Sequence, residues 1–388
     1  MVTHSYYEED PRVRREAEAL AAGGRQVDVF ALRRSADPPD EVLDGVRVRR
    51  LGVQRHQGAG LRTYLVEYLA FLAQAGLALT RAHRRRRYAL VQVHTLPDFL
   101  VFAATPLRVA GVPVILDLHE AMPEFFRSRF RGQAGRIGYA LLRAQEAAAI
   151  RFSSAVITVN EALGDRLRGL GVPDAKLAII PNAPSLVRFD ASRHPGRSFM
   201  ADGTLRLVYA GALSPIYELD VVLVAVARLA ESRPELPVSL ELYGRDFAEV
   251  PLRDVAAALG IGDRVTFHGR IPIDDVPAAI AAADIGLAPT RRSAFTDFSL
   301  STKAFEYAAM SRPVVASRLP MVERTFGDDV STYVPGDADD LVIALLHLVD
   351  DPDAREAQVS RALERVRGLA WEAEAPRYLA LVDGLARR

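Results

Sequence analysis

The chain has 388 residues, 49% hydrophobic and 25% charged, with 49 basic and 49 acidic side chains and no cysteine. That length suits two domains of roughly 150–200 residues each, and the mix is that of packed globular domains rather than of a disordered chain. A neutral total gives no general attraction for nucleic acid or an anionic surface, and the missing thiols exclude disulfides, thiolate nucleophiles and Cys-held zinc while suiting a reducing cytoplasm.

Only Met1 to His4 precede the loop Ser5-Tyr6-Tyr7, so either the first strand of the pattern is abbreviated or the sequence begins late in it. This opening has neither the basic n-region nor the apolar h-region of a signal peptide. Asp10 is placed to cap a helix with Pro11 at its first position and Gly23-Gly24 at its end. Near-continuous apolar runs then predict strands at 26–32, 46–50, 90–94, 112–118, 155–159 and 177–180, as in a parallel sheet buried on both faces. Between them, residues 65–80 are apolar apart from Glu67 and Gln74, and fall short of the ~20 residues that span a bilayer. Leu65, Tyr68, Leu69, Leu72 and Leu79 share helical spacing, which predicts a core-facing stripe, with a membrane-surface helix as the alternative. Arg84 to Arg87 follow, where four cations suit a helix C-terminus and form either a solvated face or a contact for acidic lipid or a phosphorylated acceptor.

The pattern pauses near residues 184–204 and restarts with strands at 205–210, 238–243, 265–268, 285–288 and 314–317, separated by helices at 220–231, 251–259, 274–283 and 303–310. Two βα series around a polar linker imply an α/β protein of two doubly wound, Rossmann-like domains. The expected boundaries are 1–190 for the N-terminal domain, 191–204 for the linker, 205–367 for the C-terminal domain and 368–388 for a helix packing back on the first. Such sheets place ligands at the carboxyl ends of their strands, so a cleft between the domains is the expected site.

The densest chemistry lies in Ser299-Leu300-Ser301-Thr302-Lys303-Ala304-Phe305-Glu306-Tyr307, ahead of the buried run Pro313-Val314-Val315-Ala316. A loop of small polar residues opens a helix whose first N–H groups and dipole suit a diphosphate. Lys303 adds a full charge there, and Glu306, one turn on, is placed to accept from a ribose diol. An ordinary capped helix with Glu306 in solvent is the other reading of the pattern alone.

This stretch is similar to the nucleotide-sugar signature of family-four glycosyltransferases, which have the GT-B architecture of two facing Rossmann-like domains. The resemblance runs through nearly the whole chain, in Ser5 to Glu16, Asp117-Leu118-His119-Glu120, Pro181-Asn182-Ala183, Tyr209-Ala210-Gly211, His268-Gly269-Arg270 and Ala283-Asp284-Ile285-Gly286. It implies a donor site drawn from Asn182, Gly211, Tyr217, Arg245, Arg270, Ser301, Thr302, Lys303 and Glu306, with Glu306 on the ribose. His119 matches a histidine that approaches the transferred sugar, with Glu120 beside it as a second candidate catalytic group. Tyr6, Tyr7 and Glu124 are the expected acceptor contacts, in or near acceptor loops 5–10 and 58–63.

The chain departs from the family at three positions. Ala212 and Tyr217 stand where many members carry Arg and Lys, and Phe298 stands eight residues before Glu306 where many carry a first Glu. Lys303, Arg270, Arg291 and Arg292 are the candidate replacements. Without an Asp-x-Asp loop no metal is expected at the diphosphate, and Asp337, Asp339 and Asp340 read as a helix cap. The resemblance implies a retaining, metal-independent transfer from a nucleotide sugar to a small-molecule, glycan or lipid-linked acceptor. No cofactor and no nucleic-acid partner are expected, and the location is cytoplasmic, with peripheral contact at the inner membrane face. A nucleotide-sugar epimerase or hydrolase of the same architecture, and a non-catalytic partner subunit, are the competing readings.

Overall fold

The computed structural model describes residues 1–54, 61–129, 132–246 and 250–387, so residues 58–60 of the second expected acceptor loop lie outside it. The chain divides into two compact units, Met1–Asn182 with Glu374–Arg388, and Ala183–Ala373. The first unit thus ends at Asn182 rather than near residue 190, and it includes the end of the chain.

In the first unit the order is α1 (Pro11–Ala22), β1 (Val27–Leu32), β2 (Asp40–Leu43), β3 (Val46–Leu51), α2 (Leu61–Arg86), β4 (Val91–His94), α3 (Thr105–Val109), β5 (Val114–Asp117), α4 (Met122–Arg129), α5 (Gly132–Phe152), β6 (Ala155–Thr158), α6 (Glu161–Gly169) and β7 (Leu177–Ile179). Asp10 caps α1 by accepting from the Val13 N–H at 3.2 Å. At the start of the chain a single residue, Val2, is bridged in parallel to Phe30 and to Val93. It joins β1-β3-β2 to β4-β5-β6-β7, and among the described strands of this unit only β2 runs antiparallel, to β3. Sequence periodicity missed β2, although Asp44-Gly45, with φ of +48° and +79°, is the dipeptide that makes such a hairpin turn.

The expected core stripe of α2 is corrected. Glu67, Phe71, Ala75, Leu79 and Ala82 are buried, whereas Leu65 and Leu69 are exposed. The helix is apolar around most of its circumference, so spacing alone selects either face; packing on the turn at residues 98–104, α3 and β3 selects this one.

The second unit holds β8 (Leu205–Ala210), α7 (Leu219–Ser232), β9 (Val238–Tyr243), α8 (Leu252–Ala258), β10 (Val265–Gly269), α9 (Val276–Ala281), β11 (Ile285–Ala288), α10 (Thr302–Ala309), β12 (Val314–Ser317), α11 (Pro320–Phe326), β13 (Ser331–Tyr333), α12 (Ala338–Asp350) and α13 (Pro352–Leu369); α14 (Trp371–Ala386) leads from it into the first unit's final segment. Its sheet is parallel in the order β10-β9-β8-β11-β12-β13. One apolar layer packs α7 and α12 on one face, through Leu207, Val226 and Leu345, and a second packs α9, α10 and α13 on the other, through Val208, Ala304 and Val366. The strand order reverses between β8 and β11, and ligands of open α/β sheets gather at the carboxyl ends there. Asp337 caps α12 by accepting from the N–H groups of Asp339 and Asp340.

Candidate active site

At that reversal the chain leaves β8 through Gly211 and enters α10 through Ser301. Gly211 has φ +152°, and a Cβ added there would lie 2.4 Å from Lys303 Cε and 2.9 Å from Nζ. Only glycine lets the Lys303 side chain lie against this turn. Gly244, after β9, is held as tightly: a Cβ would lie 1.8 Å from the Gly211 carbonyl oxygen. The turns are tied by main chain, with Gly211 N–H donating to Tyr243 O and Gly244 N–H to Gly269 O, each at 2.8 Å.

Lys303 is buried, with Nζ 4.0 Å from the Tyr217 ring centroid and 5.0 Å from that of Tyr209. Among the described residues no carboxylate lies within 4.0 Å of that ammonium. Ring faces attract a cation without neutralising it, so the charge remains available to an anion. Ser301 precedes α10 without capping it, and its hydroxyl is buried with no hydrogen-bond partner among the described residues. Burial pushes the Glu306 carboxyl up, against the pull of Lys303 and of a hydrogen bond from Thr302. Ser301, Thr302, Lys303, Glu306, Gly211 and Tyr217 therefore form one cluster. Arg245 and Arg270 follow Gly244 and Gly269 with exposed side chains, at the neighbouring turns. The other two candidate cations are engaged elsewhere: Arg291 donates to both Asp220 oxygens at 2.8 Å, and Arg292 to Asp297 at 3.2 Å.

In the first unit the carboxyl ends of Val2, β4 and β5 converge on a buried polar cluster. Arg12 donates to both Asp117 oxygens, at 2.7 and 2.6 Å, and lies 3.4 Å from Glu16. His94 Nδ1 is 2.8 Å from Asp117, and Gln92 links Glu16 to the Tyr378 hydroxyl. Glu16, His94 and Asp117 are spaced as metal ligands are, within 4.8 Å of one another. The Arg12 guanidinium is the cation already there, and a dication would have to sit against it.

His119, two residues past β5, is pushed down to about 4 by burial, with Asp117 pulling the other way and Arg12 adding to the drop. Its ring is neutral at physiological pH, and its Nδ1 has no hydrogen-bond partner among the described residues. Burial pushes the neighbouring Glu120 up to about 7. Two expected acceptor contacts fare differently. Tyr7 is buried, with its hydroxyl out of solvent, and Glu124 is committed to Arg166, which donates to its two oxygens at 2.9 and 2.7 Å. Tyr6 lies under the Arg34 guanidinium, 4.3 Å from the ring centroid. Asn182 belongs to this unit, where its side-chain oxygen accepts from Arg15 at 2.7 Å.

A family model described as "Glycosyl transferase 4-like domain" matches residues 10–183, and one described as "Glycosyl transferases group 1" matches residues 204–351. The chain belongs to the family-four glycosyltransferases. This glycosyltransferase is 26% identical over 389 residues to a D-inositol 3-phosphate glycosyltransferase from Thermomonospora curvata, covering 95% of this chain and 88% of the relative. In structure it is similar to sucrose-phosphate synthase from Thermosynechococcus elongatus, with a TM-score of 0.77, 20% identity and coverage of 99% and 98%. It is also similar to Anabaena HepE in complex with UDP-glucose, with a TM-score of 0.72, 16% identity and coverage of 99% and 96%. Both likenesses show the GT-B fold.

Sequence reading passed over two groups that the folded glycosyltransferase brings into play. Glu218, fully buried at φ +35°, follows Tyr217 and accepts hydrogen bonds from Tyr333 at 2.8 Å and Ser317 at 3.0 Å. With Arg291 N–H donating to Ile216 O at 2.7 Å, it fixes the turn that lays Tyr217 on Lys303. Losing hydrogen bonds to a charged group costs ~1.5–3 kcal/mol. Glu218→Ala is therefore expected to raise KM for the donor by roughly tenfold or more with a smaller change in kcat, read by steady-state kinetics.

Asp98 is the second. It is buried next to Glu146, Arg166 and Glu120, and burial, with Glu146 adding, pushes its carboxyl from 3.8 up to about 7 against the pull of Arg166. A carboxyl raised on folding supports the fold fully below its unfolded pKa and withdraws that support as pH rises through the folded value. Asp98→Asn is thus expected to raise the melting temperature at pH 8 but not at pH 4. The gain is at most about 4 kcal/mol, at 1.36 kcal/mol per pK unit. Equal effects at both pH values would remove the charge explanation.

Proposed function

We propose that this glycosyltransferase moves a sugar from a nucleoside-diphosphate donor to a hydroxyl of a small polyol acceptor, with retention of anomeric configuration and without a metal ion. The observation that carries this reading is Lys303, a buried ammonium with no carboxylate partner among the described residues, at a helix start and a glycine turn. Diphosphate is the anion such a place suits. HepE, among the structural neighbours, is described in complex with UDP-glucose, which makes uridine diphosphate the first nucleotide to try.

In this reading the second unit holds the donor. Lys303 and the first N–H groups of α10 take the charge that builds on the leaving diphosphate, and Glu306 accepts from the ribose. The first unit supplies the acceptor side. A neutral His119 offers a hydrogen bond to the sugar without adding charge, and Glu120, poised near pH 7, is placed to orient acceptor hydroxyls. Bond breaking to the diphosphate runs ahead of attack on the same face, so no covalent nucleophile is assigned. The relatives named for D-inositol 3-phosphate direct the acceptor proposal towards a cyclitol phosphate.

The test incubates the protein with UDP-glucose and D-inositol 3-phosphate, with and without a chelator, and reads the new anomeric proton by NMR. An α-glucoside formed at the same rate in both samples is expected. A β-glucoside, or a rate abolished by the chelator, would overturn the retaining, metal-independent reading.

A further inference from the structure

We propose that the outward face of α2 is a docking surface for an anionic lipid bilayer. The helix buries Glu67, Phe71, Ala75, Leu79 and Ala82 in the first unit, which leaves the opposite side free. At 3.6 residues per turn that side carries Leu65, Val66, Leu69 and Leu77, exposed by 52%, 67%, 49% and 53%. Such a row of large apolar side chains on a helix that is already docked demands a partner. Arg62 stands at one end of the row and Arg81, Arg84 and Arg85 at the other. Among the described residues none of these four has a carboxylate within 4.0 Å, whereas Arg86 turns towards Asp28 at 3.6 Å. The one acid of the helix, Glu67, is buried 3.1 Å from His4 Nε2, so the outward face is apolar and cationic with no counter-charge.

Charge chooses the occupant. A second copy meeting this face in a symmetric dimer would set the same arginines against each other. A bilayer with anionic headgroups accepts the leucines at its acyl boundary and the guanidiniums at its surface, the chemistry of an interfacial helix. The helix lies along the membrane instead of crossing it, since its other face is fixed in the protein core.

The full chain is sedimented with vesicles of phosphatidylcholine alone and of phosphatidylcholine with one part in three phosphatidylglycerol, at low and high salt. Each basic side chain near an anionic surface adds about fivefold to binding. The wild type is expected to bind the anionic vesicles at least ~20-fold more tightly, and to lose most of that difference at 1 M salt. Arg84→Glu/Arg85→Glu is expected to abolish the preference, and Leu69→Glu/Leu77→Glu to abolish binding, with melting temperature and nucleotide binding unchanged in both. Equal binding to the two vesicles, or variants that bind as the wild type does, would overturn the proposal. So would a leucine variant that converts a dimer to a monomer by light scattering with no effect on vesicles.

Discussion

Under the proposed reading, exchanging Lys303 for methionine is expected to lower kcat/KM for the nucleotide sugar by about 10²–10³-fold, the ~2.7–4 kcal/mol typical of one removed electrostatic stabiliser at a developing charge. Methionine keeps the unbranched stem that runs past Gly211 and beneath Tyr217, so the packing survives and only the charge is lost. The effect is expected to be large because two of the candidate replacement cations are committed elsewhere. Arg291 and Arg292 are bound to Asp220 and Asp297, and the positions where many relatives carry further cations hold Ala212 and Tyr217. Steady-state kinetics checks the loss, and an unchanged melting temperature separates it from misfolding. A variant that keeps kcat/KM within threefold of wild type would show that the diphosphate lies elsewhere.

The largest stability effect is expected at Arg12. Its guanidinium is the counter-ion of Asp117 and sits against Glu16, all three being buried. Removing one partner of a buried pair leaves an uncompensated charge, a cost of about 3–5 kcal/mol. For a unit of this size that lowers the melting temperature by roughly 6–20 °C. The pH dependence fixes the cause. Burial alone would raise the Asp117 carboxyl, but Arg12 and His94 overcome it and hold the group well below the usual carboxylate range. In the wild type this ion pair therefore supports the fold above about pH 4 and weakens as pH falls towards the depressed pKa. In Arg12→Met burial acts unopposed by the guanidinium, the carboxyl rises, and stability falls as pH rises. The gap between the two proteins should thus widen from pH 4 to pH 8 in thermal unfolding. Arg12→Met/Asp117→Asn should close most of it. A gap independent of pH would point to lost packing instead of charge.

Much of this fold is legible in the chain because β5, β6, β11 and β12 are buried on both faces and so read as unbroken apolar runs. The elements that escape are those without such a run. β13 is the short edge strand Ser331-Thr332-Tyr333, and β2 alternates exposed and half-buried residues. The Lys303 cluster is legible through Gly211 and the opening of α10, which lie within short motifs. Glu218 is not, because its partners Ser317 and Tyr333 are about a hundred residues away and nothing local marks an acid that will be buried. Glu124 looked free for the same reason, since its ion pair with Arg166 is made only on folding. Tyr7 shares a loop with the half-buried Tyr6 but turns into the core, a distinction that two adjacent tyrosines do not reveal.

The central claim is that a donor diphosphate sits on Lys303 at the start of α10. Thermal unfolding of the wild type and of Lys303→Met, with uridine, guanosine and adenosine diphosphates and their parent nucleosides, tests it most directly. A ligand at 100 times its Kd stabilises by about 2.7 kcal/mol, which for a unit of this size raises the melting temperature by roughly 5–10 °C. At least one diphosphate should give that rise in the wild type, its nucleoside should give little, and Lys303→Met should give none. No rise with any of the three, or the same rise in the variant, would contradict the claim.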